Sequence, residues 1–265
     1  MNLIKGIENG EIKVDKIGIL KAVLIIVISI FIEGFGMSFY QLIESGKTFA
    51  YGNLIVGILF KYFSIVVILK LFAQRFSEGN IHKKIKPKYF FIIIFIIIGF
   101  RIFYEYSIGT FVNKLDVNPL VEKAFEDLAS TRSVFFISVC IVAPIFEEVL
   151  FRGIILNGMA KALNEKVAIV ISSFLFALMH MNLVQGINAF LLGAILGIIY
   201  LKTKSIYLSI FAHLINNTLG ILISAYMENL KLANYFLFQF IVTFIGIAIM
   251  ILGFFILNRR INIED

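Results

Sequence analysis

Cysteine, histidine and long polar stretches are all scarce in this sequence. Its 265 residues include one cysteine, Cys140, and three histidines. A single cysteine excludes an internal disulfide and disfavours a cysteine-based metal site. The longest polar stretch, about 107–132, is too short to build the core of a soluble domain. The first sixteen residues lack the small-residue cleavage site of a signal peptide, so we expect the first apolar segment to stay as an anchor.

Apolar residues dominate what is present. They make up 60% of the chain, with a mean hydropathy of +0.96, whereas a soluble domain is nearer half apolar. Isoleucine- and phenylalanine-rich runs are typical of helical membrane spans and not of a membrane barrel. The net charge of +7 comes from basic residues that flank these runs, as membrane topology requires. We therefore expect a lipid bilayer as partner and no nucleic acid.

Apolar runs bounded by charge predict an all-α protein, a polytopic membrane bundle of about eight transmembrane helices. The fifth and sixth runs are short and closely joined, so a hairpin buried in the protein is the alternative for them. No internal repeat is visible, which disfavours a transporter built from two equivalent halves. The predicted helices lie near 17–41, 53–73, 88–107, 133–157, 166–182, 185–201, 205–226 and 234–257.

Basic residues concentrate in alternate loops. The loops between them are poorer in base or balanced by acid, as at Asp116 and Glu122. The positive-inside rule therefore predicts that both termini are cytoplasmic. The basic loop and terminal residues are Lys5, Lys13, Lys16, Arg75, Lys83, Lys84, Lys86, Lys88, Lys161, Lys166, Lys202, Lys204, Arg259 and Arg260. We expect His82, next to Lys83, to be solvated or near lipid headgroups.

Three short motifs place polar and ionisable side chains inside apolar runs that are long enough to cross a bilayer. An ionisable group costs a few kcal/mol or more there, so it is a functional candidate. Two of the three histidines lie in these motifs, which points to intramembrane chemistry. The motifs are EEVLFR, with Glu147, Glu148 and Arg152; FALMH, with Phe176 and His180; and HLINN, with His213 and Asn217.

The predicted topology places these motifs at similar depths. Glu147 lies about 15 Å, His213 about 12 Å, Asn217 about 18 Å and His180 about 21 Å from the cytoplasmic ends of their helices, at 1.5 Å of rise per residue. Scattered polar residues would seldom fall in one slab of membrane. We therefore predict one shared site.

Helical geometry suggests a role for each residue. Glu148 and Arg152 are four apart and share a face, so we predict a structural ion pair. Glu147 points about 100° away and is assigned to chemistry. His213 and Asn217 are also four apart and can face one reacting centre. Phe176 shares a face with His180 and is expected to pack against the imidazole.

A carboxylate in a low-dielectric site is a strong base if it stays ionised, and with water it could drive hydrolysis. Histidine and asparagine could stabilise the oxyanion that develops. The alternative is a zinc site built from His180, His213 and Glu147. Asn217 is a poor zinc ligand and no HExxH helix is present. A divalent metal such as zinc and a metal-free glutamate mechanism are equally compatible with these residues.

Other features have simpler interpretations. Pro144 is expected to bend the fourth helix, either opening space for water near Glu147 or only bending it. Gly193 and Gly197 form a small-xxx-small pattern that is typical of helix packing. Arg101 can pair with Glu105 on one face. This pair and Glu33 are expected to be structural or to line a water-filled cavity, with substrate gating as the alternative.

The three motifs resemble the CPBP (Abi) family of intramembrane proteases, which includes type II CAAX prenyl endopeptidases and bacteriocin-processing or immunity relatives. They match its patterns Glu-Glu-x-x-x-Arg, Phe-x-x-x-His and His-x-x-x-Asn in order and separation. The similarity runs from about 133 to 222 and includes the stretch from Phe190 to His213. It implies that Glu147 activates the attacking water and that His180, His213 and Asn217 complete the site.

These observations lead to one expected organisation and function. We expect a three-span region (1–132), a catalytic core (133–225) and a last span with a cytoplasmic tail (226–265), integrated in one domain. The chain is expected in the cell membrane of a bacterium, hydrolysing a peptide or lipidated protein substrate, whose identity the sequence does not give. The alternatives are a non-catalytic bacteriocin-immunity or scaffold protein, and a proton-coupled transporter that uses Glu147 as carrier.

Overall fold

The computed structural model of the chain describes residues 3–43, 49–75, 85–112, 114–117, 119–227 and 236–264, and these are almost entirely helical. A small antiparallel sheet pairs two three-residue strands near the N-terminal end. The elements are α1 (Leu3–Glu8), β1 (Ile12–Val14), α2 (Ile19–Ile43), α3 (Phe49–Phe72), β2 (Ala73–Arg75), α4 (Pro87–Tyr106), α5 (Ile108–Val112), α6 (Pro119–Ala129), α7 (Arg132–Met159), α8 (Glu165–Leu178), α9 (Leu183–Thr203), α10 (Ile206–Met227) and α11 (Phe236–Glu264).

Seven of the described helices are long and apolar enough to cross a membrane: α2, α3, α4, α7, α9, α10 and α11. The chain is therefore an all-α, multi-pass membrane protein, as predicted. The exact number of crossings and the cytoplasmic side of both termini stay predictions. His82, Lys83 and Lys84 lie outside the described residues.

The predicted fifth span corresponds to α8, which has only 14 residues. Such a helix is about 21 Å long, shorter than the hydrocarbon core of a bilayer. It packs against α9, but it is not enclosed by protein, because Val167, Val170 and Phe174 lie exposed along one face. The alternative of a hairpin buried in protein therefore holds only for the opposite face of α8, which packs against α9.

Helix α7, which carries the EEVLFR motif, is not a regular α-helix. It has π-helical geometry over Ile137–Val142 and again over Val149–Leu156, with an α-helical segment, Ala143–Glu148, between them. Pro144 is the second residue of that segment, and because it has no backbone N–H it interrupts backbone hydrogen bonding. The second π-helical segment begins at Val149, too far along the chain for Pro144 to account for it. Wide turns of this kind often occur at functional sites.

Two packed cores hold the spans together. One joins the N-terminal segment, α2 and α3 to α7 and α8, and the other joins α4 to α9, α10 and α11. Helices α4 and α11 touch backbone to backbone, because a Cβ built on Gly99 would lie 2.6 Å from the Met250 nitrogen. This contact fixes the helix that carries Arg101.

The N-terminal segment is attached to the ends of the spans. Lys161, just after α7, donates a hydrogen bond from Nζ to the Val14 carbonyl at 2.7 Å, and burial lowers the pKa of its ammonium group. Glu8 accepts a hydrogen bond from the backbone N–H of Ile206, at the start of α10, at 2.7 Å. The segment thereby holds the helix on which His213 and Asn217 lie.

Candidate active site

The three motifs meet at a cavity of about 1040 Å³ between the spans. Residues from α2, α3, α4, α6, α7, α8, α9 and α10 contribute to its wall. Four predicted site residues line it: Glu147, His180, His213 and Asn217. Glu148 and Arg152, predicted as structural support, are not among its lining residues. The structure therefore brings the predicted residues together, while their catalytic roles stay predictions.

Glu148 and Arg152 form the predicted ion pair, with Arg152 Nη1 donating to Glu148 Oε1 at 2.9 Å. Both side chains are buried, at 0% exposure for Glu148 and 2% for Arg152. Arg152 Nη2 also donates to the Gly193 carbonyl of α9 at 3.0 Å. An isolated buried charge would be costly, and these contacts compensate it. The pair therefore also connects α7 to α9.

His213 lies between the two adjacent glutamates. Its Nδ1 is 2.8 Å from Glu148 Oε1, and its Nε2 is 3.8 Å from Glu147 Oε2. The first distance is a hydrogen bond, whereas the second is too long for one and leaves room for a bridging water. Glu147 keeps 25% of its side chain exposed to the cavity. Two neighbouring carboxylates therefore have different surroundings: one is fully engaged and the other is open.

The partners of the two imidazoles assign their tautomers. His213 Nδ1 contacts the Glu148 carboxylate, and His180 Nδ1 lies 3.0 Å from the Phe176 carbonyl oxygen. Both of these partners can only accept hydrogen bonds. Each Nδ1 must therefore carry a hydrogen, so each neutral ring has its lone pair on Nε2. The neutral histidines can accept a proton at Nε2, and they become donors there only when protonated.

Phe176 fixes the positions of both histidines. Its ring makes edge-to-face contacts with His180, at a centroid distance of 5.0 Å, and with His213, at 5.8 Å. The Arg152 guanidinium lies over the same ring, 4.8 Å from its centroid. His180 follows the last turn of α8, and Met181 takes a left-handed φ of 47° immediately after it. The predicted packing of Phe176 against His180 is confirmed and extends to His213.

Asn217 lies one helical turn beyond His213 on α10. Its Nδ2 donates to the Val139 carbonyl of the first π-helical segment at 2.9 Å. Its Oδ1 accepts from Asn216 Nδ2 at 3.1 Å. One Nδ2 hydrogen has no partner among these contacts and is available to a group in the cavity.

A metal at the predicted positions would need three converging donors. Among the described residues, no group of three or more His, Cys, Asp or Glu side chains has the geometry to hold a metal ion. The predicted donors His180, His213 and Glu147 share the cavity wall without forming such a group. A zinc ion at these residues and a metal-free site therefore both stay predictions.

The two glycines of α9 pack against neighbouring helices. A Cβ built on Gly193 would lie 3.1 Å from the Ser173 Cβ of α8 and 3.2 Å from its Cα. One built on Gly197 would lie 3.4 Å from Ile169 and from Leu156. The helix-packing interpretation is therefore confirmed. The sequence pattern did not reveal that the Gly193 carbonyl also accepts from Arg152.

Several cavity residues were not predicted as part of the site. Asn53, Asn188 and Asn216 line it, and each has a buried Oδ1 without a hydrogen-bond partner. Lys61 also lines it and pairs with Glu33 across α2 and α3. Asn53, Lys61 and Asn188 lie outside the three motifs, so the motifs gave no signal for them. Asn216 lies within the HLINN motif beside Asn217, and this position was the available signal for it.

Comparison with known proteins supports the resemblance. Residues 129–219 match the sequence model of a family described as Type II CAAX prenyl endopeptidase Rce1-like. The chain is 34% identical over 96 residues to "Putative membrane peptidase YdiL" of Bacillus subtilis, which covers 36% of this chain and 39% of the relative. The chain therefore spans well under two thirds of that relative's length.

Two further relatives align over longer stretches. The chain is 29% identical over 178 residues to UPF0177 protein YaiH of Lactococcus lactis, covering 63% of this chain and 68% of the relative. It is 26% identical over 190 residues to the membrane-embedded CAAX protease MroQ of Staphylococcus aureus, covering 67% and 75%. No solved structure matches the chain. The resemblance carried by the three motifs is confirmed: residues 129–219 of this membrane protein are similar to the family described as Type II CAAX prenyl endopeptidase Rce1-like.

Proposed function

We propose that this chain is an intramembrane endopeptidase and that Glu147 activates the water that attacks the peptide bond. The observation that carries the proposal is the contrast between two adjacent carboxylates. Glu148 is enclosed and paired with Arg152, whereas Glu147 faces a cavity that also contains His180, His213 and Asn217. The names of two relatives, a membrane peptidase and a CAAX protease, support the same activity.

In the proposed reaction, Glu147 takes a proton from water while the water oxygen bonds to the substrate's carbonyl carbon. The C–N bond then breaks, and the proton passes to the leaving nitrogen, so that one water is consumed per bond cleaved. His213 Nε2, 3.8 Å from Glu147 Oε2, is within one water of the same proton. Glu148 accepts a hydrogen bond from Nδ1 of this ring and so fixes its orientation.

Stabilisation of the developing oxyanion requires hydrogen-bond donors in the cavity. We assign this role to Asn217, whose Nδ2 keeps one hydrogen free, and to His213 when it is protonated. His180 presents Nε2 as an acceptor when neutral and orients the water or a substrate N–H. The substrate is proposed to be a lipidated or membrane-associated peptide, because the cavity lies among the membrane-spanning helices.

The central test replaces Glu147 by glutamine. We expect turnover to fall by at least about 100-fold, the usual loss when a general base is removed. Asp127→Asn is the matched control, because it makes the same change to another carboxylate of the same cavity, on the exposed helix α6. Membrane peptides from cells carrying each variant would be compared by mass spectrometry. A product that is absent only with Glu147→Gln identifies both the reaction and the substrate.

Variants at the same site separate the endopeptidase from a non-catalytic protein. A non-catalytic immunity or scaffold protein would keep its biological activity in Glu147→Ala and His213→Ala. Peptide products that are equally abundant with wild type and Glu147→Gln would remove Glu147 from the mechanism. Folding is checked with a thiol-reactive dye at Cys140, which is fully buried and is the only cysteine in the sequence.

The proposed chemistry uses no metal step, and the donor geometry of the described residues supports this choice. Metal analysis of the purified protein tests it directly. Stoichiometric zinc, together with activity that is lost on chelation and restored by zinc, would replace this mechanism by a metalloprotease.

A further inference from the structure

The ends of the spans form two groups, on opposite sides of the bundle. In the first group, β1 and β2 join the beginning of α2 to the end of α3. Lys161, just after α7, and Ile206, at the beginning of α10, are hydrogen-bonded to the N-terminal segment. Lys204, which follows α9, has its Nζ 3.9 Å from Oε1 of Glu165, the first residue of α8. We call this side of the bundle the N-terminal face.

The other ends of the spans meet near α6. Tyr51 Oη, at the beginning of α3, lies 3.2 Å from Ser133 Oγ, at the beginning of α7. Helix α6 packs on the same part of α7, where the rings of Phe125 and Phe135 are 6.1 Å apart. The Thr243 hydroxyl of α11 donates to the carbonyl of the last residue of α4 at 3.1 Å. We call this opposite side the α6 face.

The large cavity opens at the α6 face. Gln41, Asp127 and Ser130 line it and are nevertheless exposed, so they form its mouth. From there the cavity reaches Lys61 and Glu147, which lie near the middle of α3 and α7. The proposed reacting centre is therefore at the inner end of an opening that begins beside α6.

Protein closes the bundle on the other side of Glu147. Every residue from Glu148 to Leu156 of α7 is buried. Most of these residues belong to one core that also contains Ile7, Ile12 and Ile17 of the N-terminal segment. In the part of the chain that the structure describes, this core separates Glu147 from the N-terminal face. Water and peptides therefore reach Glu147 from the α6 face.

The two faces differ in their basic residues. Those described beside or between the spans at the N-terminal face are Lys5, Lys13, Lys16, Arg75, Lys86, Lys88, Lys161, Lys166, Lys202, Lys204, Arg259 and Arg260, whereas those at the α6 face are Lys114, Lys123 and Arg132. Between span ends of the α6 face, the sequence of 44–48 and of 228–235 adds one lysine each. The positive-inside rule therefore predicts a cytoplasmic N-terminal face and an extracytoplasmic α6 face.

We propose that the substrate enters from the extracytoplasmic side, and that this chain cleaves segments of exported or membrane-anchored polypeptides that lie at the outer surface of the membrane. The inference rests on the proposed function for the reaction itself. The attacking water enters through the same mouth at Asp127 and Ser130. A polypeptide in the cytoplasm would meet the closed core between the N-terminal face and Glu147 instead.

Cysteine accessibility tests the route without any measurement of cleavage. Ser130→Cys places a thiol at the mouth, and Ser138→Cys places one on the cavity wall. Lys166→Cys is the matched control, because Lys166 is exposed at the N-terminal face. The wild type is the blank, since its only cysteine, Cys140, is fully buried. A membrane-impermeant maleimide is applied to cells that produce each chain, before and after permeabilisation.

We expect Ser130→Cys and Ser138→Cys to react in intact cells, and Lys166→Cys to react only after permeabilisation. The reverse pattern would overturn the proposal, because the cavity would then face the cytoplasm. Reaction of Ser130→Cys in intact cells without reaction of Ser138→Cys would also overturn it, because the mouth would then not lead into the cavity.

Cleavage in two membrane preparations separates this proposal from the proposed function. Spheroplasts present the outer face, and inverted vesicles the cytoplasmic face, to an added library of membrane-impermeant, quenched-fluorescent peptides of randomised sequence. Cleavage by wild type but not by Glu147→Gln, in spheroplasts alone, supports both proposals. The same difference in inverted vesicles alone retains the endopeptidase and overturns the extracytoplasmic route.

A third outcome concerns the reaction itself. If neither preparation shows cleavage that depends on Glu147, while Ser138→Cys reacts in intact cells, the outward opening of the cavity stands. That result argues against the endopeptidase, and with it against cleavage at the outer surface.

Discussion

Two arginine–glutamate pairs, each separated by four residues, lie in the membrane-spanning helices, and their surroundings differ. In α7, Glu148 and Arg152 are enclosed at 0% and 2% exposure, and α9 supplies the Gly193 carbonyl as a further acceptor for Arg152. In α4, Arg101 and Glu105 are 7% and 17% exposed, and Arg101 faces the large cavity. The spacing that brings each pair together is the same.

The difference teaches that local spacing identifies an ion pair but not its role. Each arginine has an Nε without a partner. Arg152 compensates by lying over the Phe176 ring of α8 and by hydrogen bonds to Glu148 of its own helix and to Gly193 of α9, so protein encloses it. Arg101 has open volume beside it. A charge enclosed by protein holds helices together, whereas one that borders a cavity can bind an incoming group.

The largest expected effect comes from breaking the enclosed pair. Arg152→Met should lower the free energy of unfolding by about 3–5 kcal/mol, because Glu148 would stay buried without its partner. Arg101→Met should cost only about 1 kcal/mol, because water in the cavity can solvate Glu105. The measurement is the temperature at which Cys140 becomes reactive to a thiol dye in detergent. Equal losses in the two variants would show that the cavity makes no difference.

Two glycines provide a sharper version of the same comparison, since each lies beside one arginine. Gly193→Ala would bring a Cβ to within 3.1–3.2 Å of the Ser173 Cβ and backbone, and the resulting strain should cost about 1–3 kcal/mol. Gly220→Ala would meet only the flexible end of Arg101, so stability should change by less than about 1 kcal/mol. The dye measurement tests both.

The smallest effect is expected at Glu8, a half-buried carboxylate that has no arginine partner. Burial raises the pKa of Glu8 above its ordinary value of 4.5, although hydrogen bonds from Ser205, Ile206 and Tyr207 lower it. The folded state therefore binds this proton more tightly than the unfolded state, so stability falls as pH rises from 4.5 through the raised pKa.

Melting temperatures of wild type and Glu8→Gln between pH 4 and 8 test this prediction. The variant should lose the part of the pH dependence that falls in that window, because glutamine does not titrate. Identical pH profiles for the two proteins would contradict it. In that case the burial of Glu8 would have no measurable effect on stability, in contrast to the burial of the arginine pairs.

Much of the fold could be predicted from the sequence because bilayer-spanning helices need long apolar runs. Seven of the eight expected helices are present at full spanning length, and the eighth, α8, is shorter than a bilayer. The π-helical segments of α7 could not be predicted, because hydropathy does not report how backbone hydrogen bonds shift by one residue. Only the proline before Glu147 signalled an irregularity there.

The candidate site likewise has one part that the sequence predicted and another part that depends on how the helices pack. Spacing by four predicted the contacts of Arg152 with Glu148 and of Phe176 with His180, which depend only on the helical period. The domain boundaries near 133 and 225 and the catalytic roles stay predictions. The contact of His213 with Glu148, 65 positions apart, depends on how α7 and α10 pack.

By itself, the sequence determined that this protein spans a membrane, which helices it forms and which polar residues share a helix face. These properties arise from composition and local periodicity. Only the tertiary structure decided that Glu147 is open while Glu148 is enclosed, and that Arg101 borders the same cavity as His213. The reason is physical: exposure and partnership inside a bilayer depend on which helices lie side by side, and side-chain packing across helices sets that arrangement.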